Sequence, residues 1–383
     1  MIKIENKENC CGCWACANIC PKDAITMVED EKGFKYPKID KEKCINCGLC
    51  EKVCPIINNK SVKREVKAYA CFNKNLETRM NSSSGGIFSL IANYILDLNG
   101  IVFGAQFDKE FNVVHSYIDN KKDLYKFQCS KYVQSEIGDT YRKVKELLDN
   151  DKYVLFTGTP CQIEGLYKFL RKDYDKLYTQ DFICHGVPSP RVWRKYLKET
   201  NNKYSAKPKN ISFRSKDNSW QDFELKIQYK NNVYRNTQGK DTYLRAFLND
   251  ICLRDSCYKC NFKKKNRVSD ITLADFWGID NIDKSMNDDK GTSLVVVNSD
   301  KGKELFEKLK DNMEYKEVNL DDAIKYNMNM ITSVKMNKNR EKFFNELDET
   351  DLDSLVKKYI KKRSIVRRVL GKAKRIVKKI LKK

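Results

Sequence analysis

Cys10-Cys11-Gly12-Cys13-Trp14-Ala15-Cys16-Ala17-Asn18-Ile19-Cys20-Pro21 spells C-x-x-C-x-x-C-x-x-x-C-P, with Cys11 as an extra thiol inside the pattern. The same pattern returns as Cys44-Ile45-Asn46-Cys47-Gly48-Leu49-Cys50-Glu51-Lys52-Val53-Cys54-Pro55. Three thiolates at this spacing wrap one four-iron cube, while the fourth, a turn further on and followed by Pro, reaches across to the other cube. Cys10, Cys13 and Cys16 are therefore expected to share a [4Fe-4S] cluster with Cys54, and Cys44, Cys47 and Cys50 to share one with Cys20. Zinc is the competing reading, but it favours two C-x-x-C pairs per ion. It gives no reason for eight thiols in a doubled run with Pro after each fourth Cys. Cys11 reads as a spare buried thiol. Gly12 and Gly48 let the backbone pass close to sulfide, where amide donors tune the potential.

Working outward from this module, Lys60-Ser61-Val62-Lys63-Arg64-Glu65 is polar and aperiodic and reads as a linker. A ferredoxin-type domain is thus expected over residues 1–66. Beyond it, Val66 to Phe72 reads as a strand. Asn81-Ser82-Ser83-Ser84-Gly85-Gly86 then precedes a helical run from Ile87 to Leu98. Such a turn, with its hydroxyls and amides at a helix start, suits a phosphate. Taken alone, such a turn is more often just an N-cap and tight turn. Strands over Ile101 to Phe107 and Asn112 to Ile118 and a helix from about Asp139 to Leu148 follow.

Tyr153 to Thr157 is a buried-strand pattern that runs into Gly158-Thr159-Pro160-Cys161-Gln162, a helix from Ile163 to Leu170, and a strand from Leu177 to Ile183 ending at Cys184-His185-Gly186. This is a β-α-β unit with parallel strands. It sets Cys161 and Cys184 at strand carboxyl ends, where open α/β sheets place ligands. Strands at Ile211–Arg214, Phe223–Tyr229 and Val233–Arg235, a helix near Tyr243–Leu248, the pair Cys257-Tyr258-Lys259-Cys260, and strands at Ile271–Ala274 and Leu294–Asn298 complete the body. Cys161, Cys184, Cys257 and Cys260 together supply enough thiols for a third cluster. Four unrelated buried cysteines are the other reading, since free Cys often packs as a small hydrophobe. Cys71, Cys129 and Cys252 have no assigned role.

The chain has 383 residues, 41% of them apolar, enough to build a core larger than the N-terminal module. Its sixteen cysteines and an N-terminus without a signal-like apolar stretch point to a reducing, cytoplasmic setting in which clustered thiols bind metal. No apolar run reaches the roughly 18 residues of a spanning helix. The formal charge of +22 is concentrated: Lys357 to Lys383 holds fourteen Lys or Arg and no acid, leaving +8 for the rest. That remainder is ordinary and argues against nucleic acid as a partner. Within the tail, Val366, Val369, Leu370, Ala373, Ile376, Val377, Ile380 and Leu381 recur at helical spacing. A cationic amphipathic helix of this kind fits an anionic membrane surface, and so a peripheral position on the inner membrane face. A helix packed on the core and a nucleic-acid arm are the alternatives.

The body resembles the beta subunit family of the coenzyme F-420 (deazaflavin) hydrogenases and dehydrogenases. The resemblance lies in Ser83-Ser84-Gly85-Gly86-Ile87-Phe88, Ser130-Lys131-Tyr132-Val133-Gln134-Ser135, Gly158-Thr159-Pro160-Cys161-Gln162-Ile163, Asp181 to Pro190, and Ser269 to Gly278. With the N-terminal module it covers residues 1 to about 300. It implies a small dicluster module followed by a larger mixed α/β flavin-binding domain, α+β to α/β in class. The N-terminal part of that domain is expected over 67–150, its C-terminal part over 151–350, and the basic tail over 351–383.

The resemblance also implies bound FAD. Cys161, Cys184, Cys257 and Cys260 become ligands of a flavin-proximal [4Fe-4S] cluster. Ser83, Ser84, Gly85, Gly86, Lys131, Tyr132, Gly158 and Thr159 become flavin contacts. Lys131 would stabilise a reduced flavin and His185 would donate a proton; each has a bland alternative, a surface Lys and a structural His. The function so implied is an oxidoreductase passing electrons between the clusters, FAD and a small hydride donor or acceptor such as the deazaflavin, with a redox partner protein, a ferredoxin or another subunit. The rival is a non-catalytic subunit that relays electrons to a partner. No nickel motif occurs, so hydrogen chemistry would need another subunit.

Overall fold

The computed structural model describes residues 1–59 and 63–360. Most of the basic tail, with its amphipathic repeat, and the first half of the expected linker lie outside the described residues. The N-terminal module is a hairpin of β1 (Ile25–Glu29) and β2 (Lys35–Ile39), paired from Ile25 opposite Ile39. Two short helices carry cluster cysteines, Ala15–Ile19 with Cys16 and Leu49–Lys52 with Cys50. The two cysteine loops share one backbone trace: residues two and four beyond the first Cys are left-handed in both, Gly12 and Trp14 in one, Asn46 and Gly48 in the other. The sequence repeat is therefore a conformational repeat. Gly48 meets nothing where a Cβ would sit, so its φ alone calls for glycine. At Gly12 an added Cβ would also strike Gln134 at 2.7 Å and Arg254 at 2.9 Å.

The body is built on one eight-stranded sheet and a separate three-stranded one. Its strands are β3 (Lys67–Asn73), β4 (Ile101–Phe107), β5 (Val113–Ile118), β6 (Val154–Thr157), β7 (Leu177–Phe182), β8 (Asn210–Ser215), β9 (Glu224–Gln228), β10 (Val233–Thr237), β11 (Ile271–Asp275), β12 (Ser293–Val297) and β13 (Met313–Val318). The large sheet runs β13-β3-β12-β11-β7-β6-β4-β5, and β10-β9-β8 forms the small one. β11, β7, β6 and β4 are parallel, as the β-α-β pattern requires, and the flanks are antiparallel. Strands from both sides of residue 150 share this sheet, with β3 between β12 and β13 and β4 paired with β6, so residues 67–150 and 151–350 fold as one unit.

The helix after β6 spans Pro160–Leu170 and begins three residues before the apolar repeat that announces it. Thr159 and Gln162 form a capping box around it and Pro160 occupies its first turn, both of which favour initiation there. Cys161 therefore lies on the helix, not on the turn before it. A long helix, Pro190–Tyr204, capped by Ser189, carries Trp193 into the core beside the small sheet. At the other end of the chain, Leu352–Tyr359 is a helix whose Leu352, Leu355 and Val356 are fully buried in that same core. The beginning of the segment read as tail is thus part of the body.

Module and body share a core in which Cys11, Cys13, Ala15 and Val53 pack with Phe103, Phe156, Ile163 and Leu166. Polar bonds pin the same joint. Asn18 Nδ2 donates to Gly138 O at 2.8 Å, Arg142 Nε donates to Asn18 O at 2.7 Å, and Arg142 pairs with Asp23 at 2.6 Å.

His115 on β5 stacks against Phe156 and has its Nε2 3.0 Å from Thr157 O, with Nδ1 buried and unpartnered. The ring is thus neutral and donates through Nε2. Burial holds its pKa down at about 4. Its folded value lies below the unfolded value of about 6.5, so its stabilising contribution is complete above that pH and is lost as pH falls toward 4. The expected size is about 3 kcal/mol at 1.36 kcal/mol per unit. Urea unfolding of the wild-type chain between pH 7 and pH 4.5 will show this acid-dependent loss, and His115→Gln will remove most of its slope.

Candidate functional site

Two cavities open in the N-terminal module. The inner one is lined by Cys10, Cys13, Cys16 and Cys54, and the outer one by Cys20, Cys44, Cys47 and Cys50. These are the crossed sets that the spacing leads one to expect. Backbone amides point at two of the outer thiols: Ile2 N to Cys50 Sγ and Ala24 N to Cys20 Sγ, both at 3.3 Å. Cys47 is exposed, while Cys13, Cys16 and Cys54 are buried. One cavity thus faces solvent and the other faces the body.

A third cavity lies in the body and gathers Cys161, Cys184, Cys257 and Cys260. Three separate devices deliver these thiols. The capped helix start brings Cys161, the end of β7 brings Cys184, and the 3-10 turn Asp255–Lys259 brings the C-x-x-C pair. Val187 N donates to Cys257 Sγ at 3.4 Å, and Thr159 Oγ1 lies 3.1 Å from Cys161 Sγ. Lys263, whose Nζ donates to Cys184 O, and Arg267, buried and paired with Asp181 at 3.3 Å, share the wall. Among the described residues, no three Cys, His, Asp or Glu groups close on a single-ion site. In all three cavities the thiols stand on the walls, an arrangement that fits a polyatomic core better than a lone zinc ion.

The thiol chemistry agrees with this fit. Burial, then the neighbouring thiol Cys184, pushes Cys257 up, and burial lifts Cys184 to about 12. Four thiolates crowded this way are costly unless positive charge sits among them, and metal binding supplies that charge as the protons leave. Cys11 is buried and lines both the inner cavity and the body cavity, within hydrogen-bonding reach of Cys13 and Cys161. Its sequence position suggested a spare thiol; the fold puts it between two cavities. Cys71 and Cys252 are packed in apolar cores, and Cys129 Sγ bonds Asn81 O at 3.1 Å.

His185 lines the body cavity, but both of its ring nitrogens are engaged. Nε2 is 2.6 Å from Asp250 Oδ1, and Nδ1 is 3.1 Å from Asn329 Nδ2. The Asn amide donates, so the ring proton resides on Nε2 and is directed at Asp250. Of Gly158 and Thr159, also expected at the flavin, Thr159 belongs with the thiol cavity and Gly158 with the end of the sheet. Thr159 lines the cavity, and Gly158 N bonds Gln180 O at 3.1 Å.

The Ser83–Gly86 turn forms a separate site. Ser83 Oγ lies 3.0 Å from Ser130 Oγ and accepts from Ser130 N at 2.8 Å, joining two of the matched sequence stretches. Ser84 Oγ donates to Thr292 O at 2.9 Å, and Gly85 N donates to Ser293 Oγ at 3.0 Å. A Cβ on Gly85 would meet Cys71 O at 2.5 Å, so only glycine passes there. Lys131 is half-buried, with Nζ donating to the carbonyls of Lys126 and Gln128 at 2.7 and 2.9 Å. Opposite it, Lys216 donates to Ser84 O at 2.9 Å and Lys290 O at 2.7 Å. Burial lowers each amine to about 8, and among the described residues no carboxylate lies within ion-pair distance of either. Arg214 donates to Ser83 O at 3.2 Å and to Tyr132 OH at 3.1 Å, and it forks onto Asp275 at 2.5 and 2.9 Å. Arg214 and Lys216 escaped the sequence reading, although Asp275 lies in one of the matched stretches.

Residues 151–323 match the C-terminal domain of the family described as "Coenzyme F420 hydrogenase/dehydrogenase, beta subunit", and residues 9–57 match the 4Fe-4S dicluster domain. The chain carries both of these family domains. The match to the dicluster domain marks the N-terminal module as a [4Fe-4S]-binding type. A curated relative, the "Coenzyme F420-dependent sulfite reductase" of Methanocaldococcus jannaschii, is 27% identical over 365 residues, 90% of this chain and 52% of the relative. The chain therefore spans about half the length of that relative. A chain from a structure of the F420-reducing [NiFe] hydrogenase complex of Methanosarcina barkeri is similar at 17% identity and a TM-score of 0.49, over 76% of this chain and 94% of that one. The dicluster match covers both cysteine loops, and the F420-family match covers the four body thiols. Among the described residues, no helix is long and apolar enough to cross a membrane.

The Arg214–Asp275 pair is buried on the Arg214 side, and its Asp also accepts from Trp220 Nε1 at 2.8 Å. Breaking such a pair strands a buried charge and costs about 3–5 kcal/mol. Asp275→Asn should lower the urea midpoint accordingly, whereas Asp217→Asn, at an exposed pair with Arg235, should change it by about 1 kcal/mol or less.

Proposed function

We propose that the chain is an FAD- and iron-sulfur-dependent oxidoreductase. It passes electrons between the outer and inner clusters, a third cluster held by Cys161, Cys184, Cys257 and Cys260, and a flavin at the Ser83–Gly86 turn. The observation that carries this reading is the third thiol cavity, built from distant segments and joined through Cys11 to the inner one. Iron-sulfur clusters exchange single electrons, and a flavin converts between these and the electron pair of a hydride. The rest falls to the protein. Exposed Cys47 gives a redox partner protein a point of approach. The buried inner thiols keep water from the joint, and Lys263 and Arg267 offset the negative charge of four thiolates.

Half-buried Lys131 and buried Lys216, with no carboxylate within ion-pair distance among the described residues, leave the Ser83–Ser130 contact electropositive. An anionic group such as the diphosphate of a dinucleotide, or a ring bearing negative charge, would restore neutrality there. Coenzyme F420 is named both in the matched family and in the curated relative, so it is the first hydride donor or acceptor to test.

The anaerobically purified chain should release FAD on denaturation. Lys216→Met should lower the flavin content several-fold while leaving iron unchanged. Flavin-free protein with a full iron content would instead make the chain a relay subunit. Ligand pairing has its own test: Cys54→Ser should remove the inner cluster and spare the outer one, and Cys47→Ser should do the reverse, read by iron analysis and electron paramagnetic resonance. Loss of the outer signal in Cys54→Ser would refute the crossed arrangement.

A further inference from the structure

Arg254 is a body residue whose side chain reaches into the N-terminal module at the Cys10 loop. It stands immediately before the 3-10 turn that carries Cys257, and its side chain is fully buried. Its Nε donates to Cys10 O at 2.8 Å, one Nη to Gln134 Oε1 at 3.1 Å, and the other to Lys35 O at 3.1 Å and Cys10 Sγ at 3.5 Å. The guanidinium lies 4.2 Å from the Tyr36 ring centre. Gly12, which tolerates no Cβ beside it, lets the chain pass over the guanidinium.

A buried guanidinium cannot shed its proton, so it needs an anion nearby. Among the described residues, no carboxylate lies within ion-pair distance of Arg254. The adjacent Asp255 is taken by Arg340 at 2.9 Å. Besides neutral oxygens and the Tyr36 ring, the groups around Arg254 that can carry negative charge are thiols: Cys10 directly, with Cys11, Cys161 and Cys257 within electrostatic range. All four belong to one or both of the inner and body cavities.

We propose that Arg254 is the built-in counter-ion of the inner cluster site, raising that cluster's reduction potential and linking it electrostatically to the thiol cavity of the body. Reduction adds one electron and one negative charge to the cluster, with no proton required. A fixed cation at the Cys10 sulfur stabilises the reduced form more than the oxidised one. The same charge lies on the side from which the body cavity is approached. Arg254 acts on the cluster through charge and hydrogen bonding and positions the Cys10 loop; it does not ligate metal. The inference rests on the inner cluster being held by Cys10, Cys13, Cys16 and Cys54.

The test compares the anaerobically purified full chain with Arg254→Lys and Arg254→Gln by redox titration followed with electron paramagnetic resonance, alongside iron and sulfide content. The inner signal is the one that Cys54→Ser removes. Arg254→Gln should make reduction of the inner cluster less favourable by about tenfold or more, a shift of at least about 59 mV to lower potential for one electron. The outer cluster should not move, and Arg254→Lys should stay close to wild type. If Arg254→Gln loses the inner cluster while Arg254→Lys keeps it, the dependence on charge is supported in stronger form. Unchanged potentials in Arg254→Gln, an equal shift in both variants, or loss of the cluster from both would overturn the proposal. A wild-type chain without iron-sulfur signals would instead remove the reading on which it stands, a failure visible before any variant is compared.

Discussion

Thiols repel one another once ionised, and this molecule crowds them. Thirteen cysteines line three cavities, and those of the body come from segments up to 99 residues apart, Cys161 to Cys260. Burial and mutual proximity drive the pKa values of the body thiols upward, so the arrangement becomes favourable only with positive charge at its centre. The surrounding architecture answers that constraint. Parallel strands bring Cys161 and Cys184 to their carboxyl ends, a capped helix fixes the first of them, Lys263 and Arg267 stand on the wall of the body cavity, and Arg254 reaches the Cys10 sulfur.

The joint between module and body follows from the same demand. Electron exchange between buried centres favours rigid, dry contact, and the joint provides both. Apolar packing of Ala15 and Val53 against Ile163 and Leu166 excludes solvent, and Arg142 and Arg254 spend their donors on backbone carbonyls across the boundary. Cys13 sits over Gly165, where any larger residue would push the module away: a Cβ there would lie 2.9 Å from Cys13 Cβ. By contrast, the outer cavity is left at the surface with Cys47 exposed.

A second electrostatic imbalance lies at the Ser83–Gly86 turn. There Lys131 and Lys216 donate to carbonyl oxygens, and among the described residues no carboxylate lies within ion-pair distance of either. The nearby Arg214–Asp275 pair is neutral overall and serves to hold Tyr132 and the Ser83 carbonyl in place. Hydrogen bonds and charge are thus balanced separately in this part of the fold.

The cysteine spacing and the strand and helix periods were legible because they are local: a C-x-x-C-x-x-C loop and a β-α-β unit are specified within a few dozen residues by sterics and apolar spacing. Hence the doubled cysteine runs and the parallel β6–β7 pair could be named from sequence alone, whereas the grouping of the four body thiols was only what the family resemblance implied, and distant segments bring them to one cavity. The helix start at Pro160 and the burial of Leu352–Tyr359 could not be read so closely, because capping competes with periodicity in one case and tertiary packing decides the other. Arg214, Lys216 and Arg254 look like ordinary surface cations in sequence. Only tertiary structure makes them buried charges, because burial depends on which distant segments close over a side chain, and no local pattern records that.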